Sequence, residues 1–213
     1  KYRVSRADIR QPAGKYISII TKADVIFICV QDSRITSAAK KLAGAKFELK
    51  GKFVFHTSGS MTSEELRSLK QKGALIASFH PVQTFESETI KDKGRLSNIY
   101  IAIEGTKRAT EKARQLAKSL GAFPFVLSKK DKVYHHICCV IASNFLTALI
   151  GEIEQIGRKK IRINGFNKLS FFNIYKPLAI QTLDNIAANG ATKSLTGPIE
   201  RNDLKTIIKH IEA

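Results

Sequence analysis

Short, continuously apolar runs alternating with helical stretches constrain this chain more than any other feature. The segment Ala23-Asp24-Val25-Ile26-Phe27-Ile28-Cys29-Val30 ends in an unbroken apolar run. A strand buried on both faces reads this way, and such strands belong to parallel sheets covered by helices. A helical stretch follows from about Ser33 to Ala43, then a second apolar strand, Lys52 to His56, that ends in Thr57-Ser58-Gly59-Ser60. Thr62 to Lys72 reads as a helix with cap-like residues at its start. Ala74 to Phe79 and Asn98 to Ile103 read as strands, Thr106 to Leu120 as a helix closed by Gly121, and Phe123 to Leu127 as a short last strand. This alternation predicts an α/β fold, a Rossmann-type doubly wound parallel sheet with right-handed crossovers.

The pattern changes after residue 128. Val133 to Ile156 is a long helix, Tyr175 to Ala188 and Asp203 to Ile211 are helical, and no strand pattern recurs. Two domains are therefore expected: 1–128, dinucleotide-binding in type, and 129–213, all-α. A dinucleotide-binding sheet normally begins with a strand and a G-x-G-x-x-G turn. Here the chain opens on Tyr2-Arg3-Val4-Ser5-Arg6, which reads as the end of a second strand, so the first strand and its glycine turn are expected to lie upstream.

Composition excludes less. The formal charge of +18 draws attention to anionic partners. Its lysines and arginines are spread through every segment, without a basic tail or aromatic–basic alternation, so nucleic-acid binding is not the expected use. Cys29, Cys138 and Cys139 sit in apolar runs and read as small buried hydrophobes of a reducing compartment. No apolar run is expected to reach the roughly 18 residues of a membrane span. The N-terminus lacks a signal-peptide pattern. The expected location is the cytoplasm.

Ligands of doubly wound folds sit at the carboxyl ends of the strands. Ser5 and Arg6 would end the second strand. An acidic residue there holds the ribose of NAD, whereas an arginine accommodates the extra phosphate of NADP. Arg6 thus points to NADP, with NAD open, and it also reads as an ordinary surface arginine. Val30 and Asp32 follow the next strand, where Asp32 either caps a helix or lines a cofactor cleft. Thr57, Ser58 and Gly59 are small enough for close backbone approach to a cofactor. His80, in Ser78-Phe79-His80-Pro81-Val82-Gln83-Thr84-Phe85, suits proton exchange near neutral pH. It also reads as a hydrogen-bonded structural histidine. His136, Val140, Ser143 and Thr147 share one face of the long helix with Asn144 beside it, as a substrate wall or an internal network. His135 and His136 point about 100° apart, so this spacing gives no metal site. Arg201 could clamp a carboxylate or phosphate, or pair with Glu200 or Asp203.

Taken together, several motifs resemble one family of Rossmann-like proteins, DUF2520. They are His56-Thr57-Ser58-Gly59, Ser78 to Phe85, Ala102-Ile103-Glu104-Gly105, Tyr134-His135, Ala142-Ser143-Asn144-Phe145-Leu146 and Leu195-Thr196-Gly197-Pro198-Ile199-Glu200-Arg201. The family is similar in architecture to pyrroline-5-carboxylate reductase, prephenate dehydrogenase and the β-hydroxyacid dehydrogenases. The resemblance implies an NAD(P)-binding domain, a helical domain like that of 6-phosphogluconate dehydrogenase, and a homodimer formed through the helices. Its expected activity is that of an NAD(P)-dependent oxidoreductase on a small anionic metabolite held between the domains. The alternative is a non-catalytic NADP-sensing dimer. The β-hydroxyacid dehydrogenases carry a lysine four residues before the helix asparagine. Val140 stands there in this chain, so proton transfer falls to His80 or His135. Asn144 would orient the substrate, with Gln83, Ser143 and Arg201 as further substrate contacts.

Overall fold

The computed structural model describes residues 3–8, 10, 11, 13–85, 95–163 and 170–213. The chain divides into two compact units, Lys1–Asn144 and Phe145–Ala213. The first turns of the long helix thus belong with the sheet, whereas the sequence pattern puts the junction at residue 128.

In the first unit a helix α1 (Ala13–Thr21) precedes β1 (Val25–Ile28), α2 (Ile35–Ala43), β2 (Phe53–His56), α3 (Arg67–Lys70) and β3 (Leu75–Pro81). Then come β4 (Tyr100–Gly105), α4 (Lys107–Ser119), β5 (Phe123–Val126) and α5 (Asp131–Val140). The strands form one sheet in the order β1-β2-β3-β4-β5. The expected α/β class holds. The sheet is mostly parallel, with one correction to the all-parallel expectation: β4 runs antiparallel to β3, and β5 parallel to β4. An antiparallel neighbour needs no crossover helix, and none occurs among the described residues between β3 and β4. At that pairing Gly105 faces Ala77. A Cβ on Gly105 would stand 2.5 Å from the Ile76 carbonyl oxygen, so only glycine lets the two strands approach this closely.

Each face of the sheet carries its own core. On one face Ile26, Ile28, Val54 and Ile76 pack with Ile35, Leu42, Leu66 and Leu69 from α2, α3 and the 3-10 turn Ser63–Leu66. On the other, Phe55, Ala77, Phe79, Ile101 and Ile103 pack with Ala109, Ala113, Leu116 and Ala117 of α4. Small alanines on α4 let the helix backbone approach a surface filled by phenylalanine and isoleucine.

Three expectations are corrected here. Residues 3–8 form no strand, and among the described residues β1 pairs with β2 alone. Cys29 and Cys138 are exposed and Cys139 is half-buried. Cys29 follows β1, whose Ile26 and Ile28 are buried, and Cys138 lies on a helix with exposed apolar residues such as Val133, Ile137 and Ile141. Finally, the helix Asp131–Lys160 is long and apolar enough, by length and composition, to cross a membrane. Its stretch 133–150 holds no Asp, Glu, Lys or Arg.

The second unit continues that helix. A single π turn (Ile141–Phe145) joins α5 to α6 (Leu146–Lys160), followed by α7 (Lys176–Asn189), α8 (Ala191–Ser194) and α9 (Leu204–Glu212). The Glu154 carboxylate accepts from the Phe172 amide at 2.7 Å and from Ser170 Oγ, tying the turn Phe171–Ile174 to α6. Asp203 caps α9, accepting from the Thr206 amide at 3.2 Å. Leu149, Ile156, Leu178, Leu183, Leu204 and Ile211 are all exposed.

Candidate functional site

The face of the sheet that packs on α2 and α3 changes character toward the carboxyl ends of β1–β3. Val54 and Ile76 are apolar. Two positions on, the register aligns Ile28, His56, Ser78 and Glu104 across four strands. Period-2 alternation puts these four side chains on one face. His56, Ser78 and Glu104 are buried. His80 lies two positions beyond Ser78 on the same face.

Buried polar groups need partners, and these have them. The Ser58 amide donates to His56 Nδ1 at 3.2 Å, and His56 Nε2 lies 3.0 Å from the Thr62 carbonyl, which fixes the tautomer with the proton on Nε2. Glu104 accepts from Ser63 twice, from the amide at 2.6 Å and from Oγ at 2.8 Å. From α5, Lys132 reaches into this row with 1% of its surface exposed. Its Nζ donates to the Ser58 carbonyl at 3.1 Å and to Ser78 Oγ at 2.9 Å. Burial pushes the Lys132 ammonium down to about 8, against the pull of the Glu104 and Asp32 carboxylates. Asp32 accepts from Ser58 Oγ at 2.6 Å and from Ser60 Oγ at 3.2 Å.

Three ring side chains gather at the edge of this network. His80 Nδ1 lies 3.3 Å from His135 Nε2, and Cys139 Sγ lies 3.6 Å from the same His135 atom. His135 and Cys139 are one helical turn apart, so they share a face of α5. The His80 and His136 rings lie edge-on at 6.5 Å between centroids, and His136 Nδ1 is buried with no hydrogen-bond partner. Gly59 packs close beside them: a Cβ there would meet His80 Cε1 and Nε2 at 2.8 Å and His136 Nδ1 at 3.0 Å, so a larger residue would have to push the two rings aside. Burial, then the neighbouring His135, Lys132 and His136, pushes His80 down to about 4, so its imidazole is neutral at pH 7. Burial lowers His135 and His56 as well, and raises the Cys139 thiol.

Among the expected site residues, the structure brings together His80, His135, Ser58, Gly59 and Asp32. Thr57 is half-buried beside them in sequence, while Val30 stands exposed after β1. Ser5 and Arg6 are exposed and sit on no strand; the arginine fixed in that segment is Arg10, paired with Asp8 at 2.7 Å. Gln83 is exposed and its Oε1 accepts from the Thr84 amide at 2.9 Å. Ser143 and the exposed Asn144 lie in the π turn, which places Asn144 roughly 13 Å along the helix from His135. Arg201 is exposed in the second unit, just before α9. Sequence reasoning missed Lys132, Glu104 and Cys139. The signals were there: a lone acidic residue in an apolar strand, and a histidine and cysteine at i, i+4.

A sheet of this order, helices on both faces and polar groups converging at the carboxyl strand ends define a Rossmann-like α/β domain followed by a helical region. The profile described as a Rossmann-like domain matches residues 3–81. The chain belongs to the family described as domain of unknown function DUF2520, whose profile covers residues 99–213. No curated protein matches the sequence.

Among solved structures, protein TM1727 from Thermotoga maritima is 27% identical, with 86% of this chain and 67% of that one covered at a TM-score of 0.63. A candidate NADP oxidoreductase, BF3122 from Bacteroides fragilis, is 19% identical over 89% of this chain and 68% of that one, with a TM-score of 0.69. A reductive aminase from Aspergillus terreus, in complex with NADPH and ethyl-5-oxohexanoate, is 13% identical over 83% and 64%, with a TM-score of 0.56. The chain thus spans about two thirds of the length of these proteins.

Proposed function

We propose that this chain is an NAD(P)-dependent oxidoreductase, with NADP preferred, that reduces or oxidises a small anionic metabolite. The observation that carries the reading is the His80–His135 pair, 3.3 Å apart at the carboxyl end of β3 and bordered by a glycine that admits close approach. The structural neighbours named for NADP or solved with NADPH support the cofactor. The cofactor would lie along the residues after β1 and β2, from Val30 and Asp32 to Thr57, Ser58 and Gly59. Arg6 would take the 2′-phosphate. Hydride chemistry is the cofactor's own. The protein's part is the proton: a neutral His80 can accept one from a substrate hydroxyl, and His135, at hydrogen-bond distance, can pass it on.

The test is a fluorescence titration with NADPH and NADH, followed by turnover on a panel of keto acids, imines and hydroxy acids. NADPH should bind the more tightly. His80→Ala should lower turnover by about 10²-fold with cofactor affinity kept. Unchanged turnover removes His80 from the mechanism, and NADPH binding without any turnover favours a sensing module instead.

We also propose that the uncovered apolar surface of the helices is occupied by a second copy of this chain. The exposed leucines and isoleucines of α6, α7 and α9 and the uncharged stretch 133–150 would otherwise face water. Lys132, at the head of the same helix, is anchored in the sheet network, which suits a protein partner better than a bilayer. Sedimentation should give twice the chain mass, and Leu149→Glu should shift it to the monomer. A chain that stays monomeric and floats with lipid vesicles overturns the proposal.

A further inference from the structure

We propose that His80, His135 and Cys139 form a binding site for a divalent transition metal of the zinc type, with a fourth position open. The three ligand atoms all lie within 4.8 Å of one another. In a tetrahedral zinc site, bond lengths of about 2.0–2.1 Å to nitrogen and 2.3 Å to sulfur separate two nitrogens by about 3.3–3.4 Å and a nitrogen from a sulfur by about 3.5–3.6 Å. The chain holds His80 Nδ1 and His135 Nε2 at 3.3 Å, and His135 Nε2 and Cys139 Sγ at 3.6 Å. Those two spacings match two edges of a tetrahedral site, and the third, His80 to Cys139, lies within 4.8 Å.

Hydrogen bonding alone accounts for the cluster less well. His135 Nε2 has a single in-plane site, and both His80 Nδ1 and Cys139 Sγ are directed at it. Only one can be satisfied there. A cation placed among the three engages all of them through lone pairs. The ligand set also comes from rigid elements: His80 from the end of β3, and His135 with Cys139 from one face of α5. Adjacent His135 and His136 give no metal spacing, as the sequence suggests; the usable pair is i, i+4, completed by a strand residue 55 positions earlier.

Once Nδ1 of His80 ligates, its Nε2 carries the proton and needs an acceptor. On that side of the ring the unpartnered His136 Nδ1 borders the same gap beside Gly59. The nearby charges oppose one another: the Lys132 ammonium disfavours a second cation, while Asp32 and the Cys139 thiolate formed on binding favour it. Binding displaces the thiol proton to solvent, so metal uptake releases a proton. Because the metal takes the lone pairs of both imidazoles, the acid–base use of His80 and its use as a ligand exclude each other at any one moment. The site stands on binding alone, whether or not the oxidoreductase reading holds.

Cobalt(II), then zinc(II), titrated into the chelator-treated full chain tests this. Expected are one equivalent bound per chain, a thiolate-to-cobalt charge-transfer band in the near ultraviolet, loss of that band on zinc addition, and proton release. Cys139→Ser should abolish the band and weaken binding about tenfold or more. Cys138→Ser, roughly 100° away on the helix, should change neither. No saturable uptake, or a band that survives Cys139→Ser in a variant of unaltered circular dichroism, overturns the site. NADPH titration on the same samples reports separately on the cofactor reading.

Discussion

Glu104→Gln is expected to destabilise the first unit by about 1–2 kcal/mol at pH 7, of which no more than about 1.4 kcal/mol comes through Lys132, since a lysine that titrates near 8 escapes the loss of a counter-charge by shedding its proton. Glu104 is buried in β4 and holds the Ser63 amide and hydroxyl. It is also the foremost of the two negative groups that support the charge on buried Lys132, Asp32 being the other. Glutamine keeps the shape and can still accept from Ser63. It removes the negative charge and brings an amide N–H₂ toward groups that already donate. Lys132 then keeps two dipolar partners, the Ser58 carbonyl and Ser78 Oγ, and the pull of Asp32. The penalty should shrink above pH 8, where Lys132 sheds its proton and no longer needs the carboxylate. Urea unfolding of both proteins at pH 7 and pH 10 checks this. A penalty below 1 kcal/mol at pH 7, or one that is the same at both pH values, would show that Glu104 serves Ser63 alone.

Much of the sheet was legible because a strand covered on both faces leaves a continuous apolar run. Val54, Phe55, Ile76, Ala77, Ile101 and Ile103 show it, and all are buried. In β1 the pattern holds on one face. Of its run Val25–Val30, Ile26 and Ile28 are buried while Phe27, Cys29 and Val30 are exposed, β1 pairing with β2 alone among the described residues. The direction of β4 was hidden, since apolar runs carry no sign of which way a strand points. His80 was found because it follows a strand. Its meeting with His135 joins residues 55 apart, and only the packing of α5 against the strand ends brings it about. Lys132 was passed over because a lysine in the first turn of a helix usually lies in water. What overrides that habit is the polar row His56–Ser78–Glu104 beneath it, itself visible only after the strands are in register.

Replacing Lys132 by methionine is expected to remove about 3 kcal/mol of pH-dependent stability. In the unfolded chain the lysine titrates near 10.5, and in the folded chain near 8. Below pH 8 both states hold the proton, so the folded protein bears the full cost of a buried ammonium. Between pH 8 and 10.5 the unfolded chain binds more protons than the folded one. Stability therefore rises with pH through that window, and the cost is gone above it. A difference of that size between the two states is worth about 3 kcal/mol. The net charge of +18 adds a general gain as the other lysines neutralise. That gain is shared by both proteins and cancels in the comparison. At pH 7 the methionine variant gains from the lost charge but forfeits the bonds to Ser58 and Ser78, so the sign of its stability change there is a balance of two terms of about 1–3 kcal/mol each. The slope is not a balance. From pH 7.5 to 10.5, in chelator, wild type should gain about 3 kcal/mol relative to Lys132→Met. Parallel stability curves across that window would mean that Lys132 reaches water in the folded protein and is not the buried charge around which the strand ends are organised.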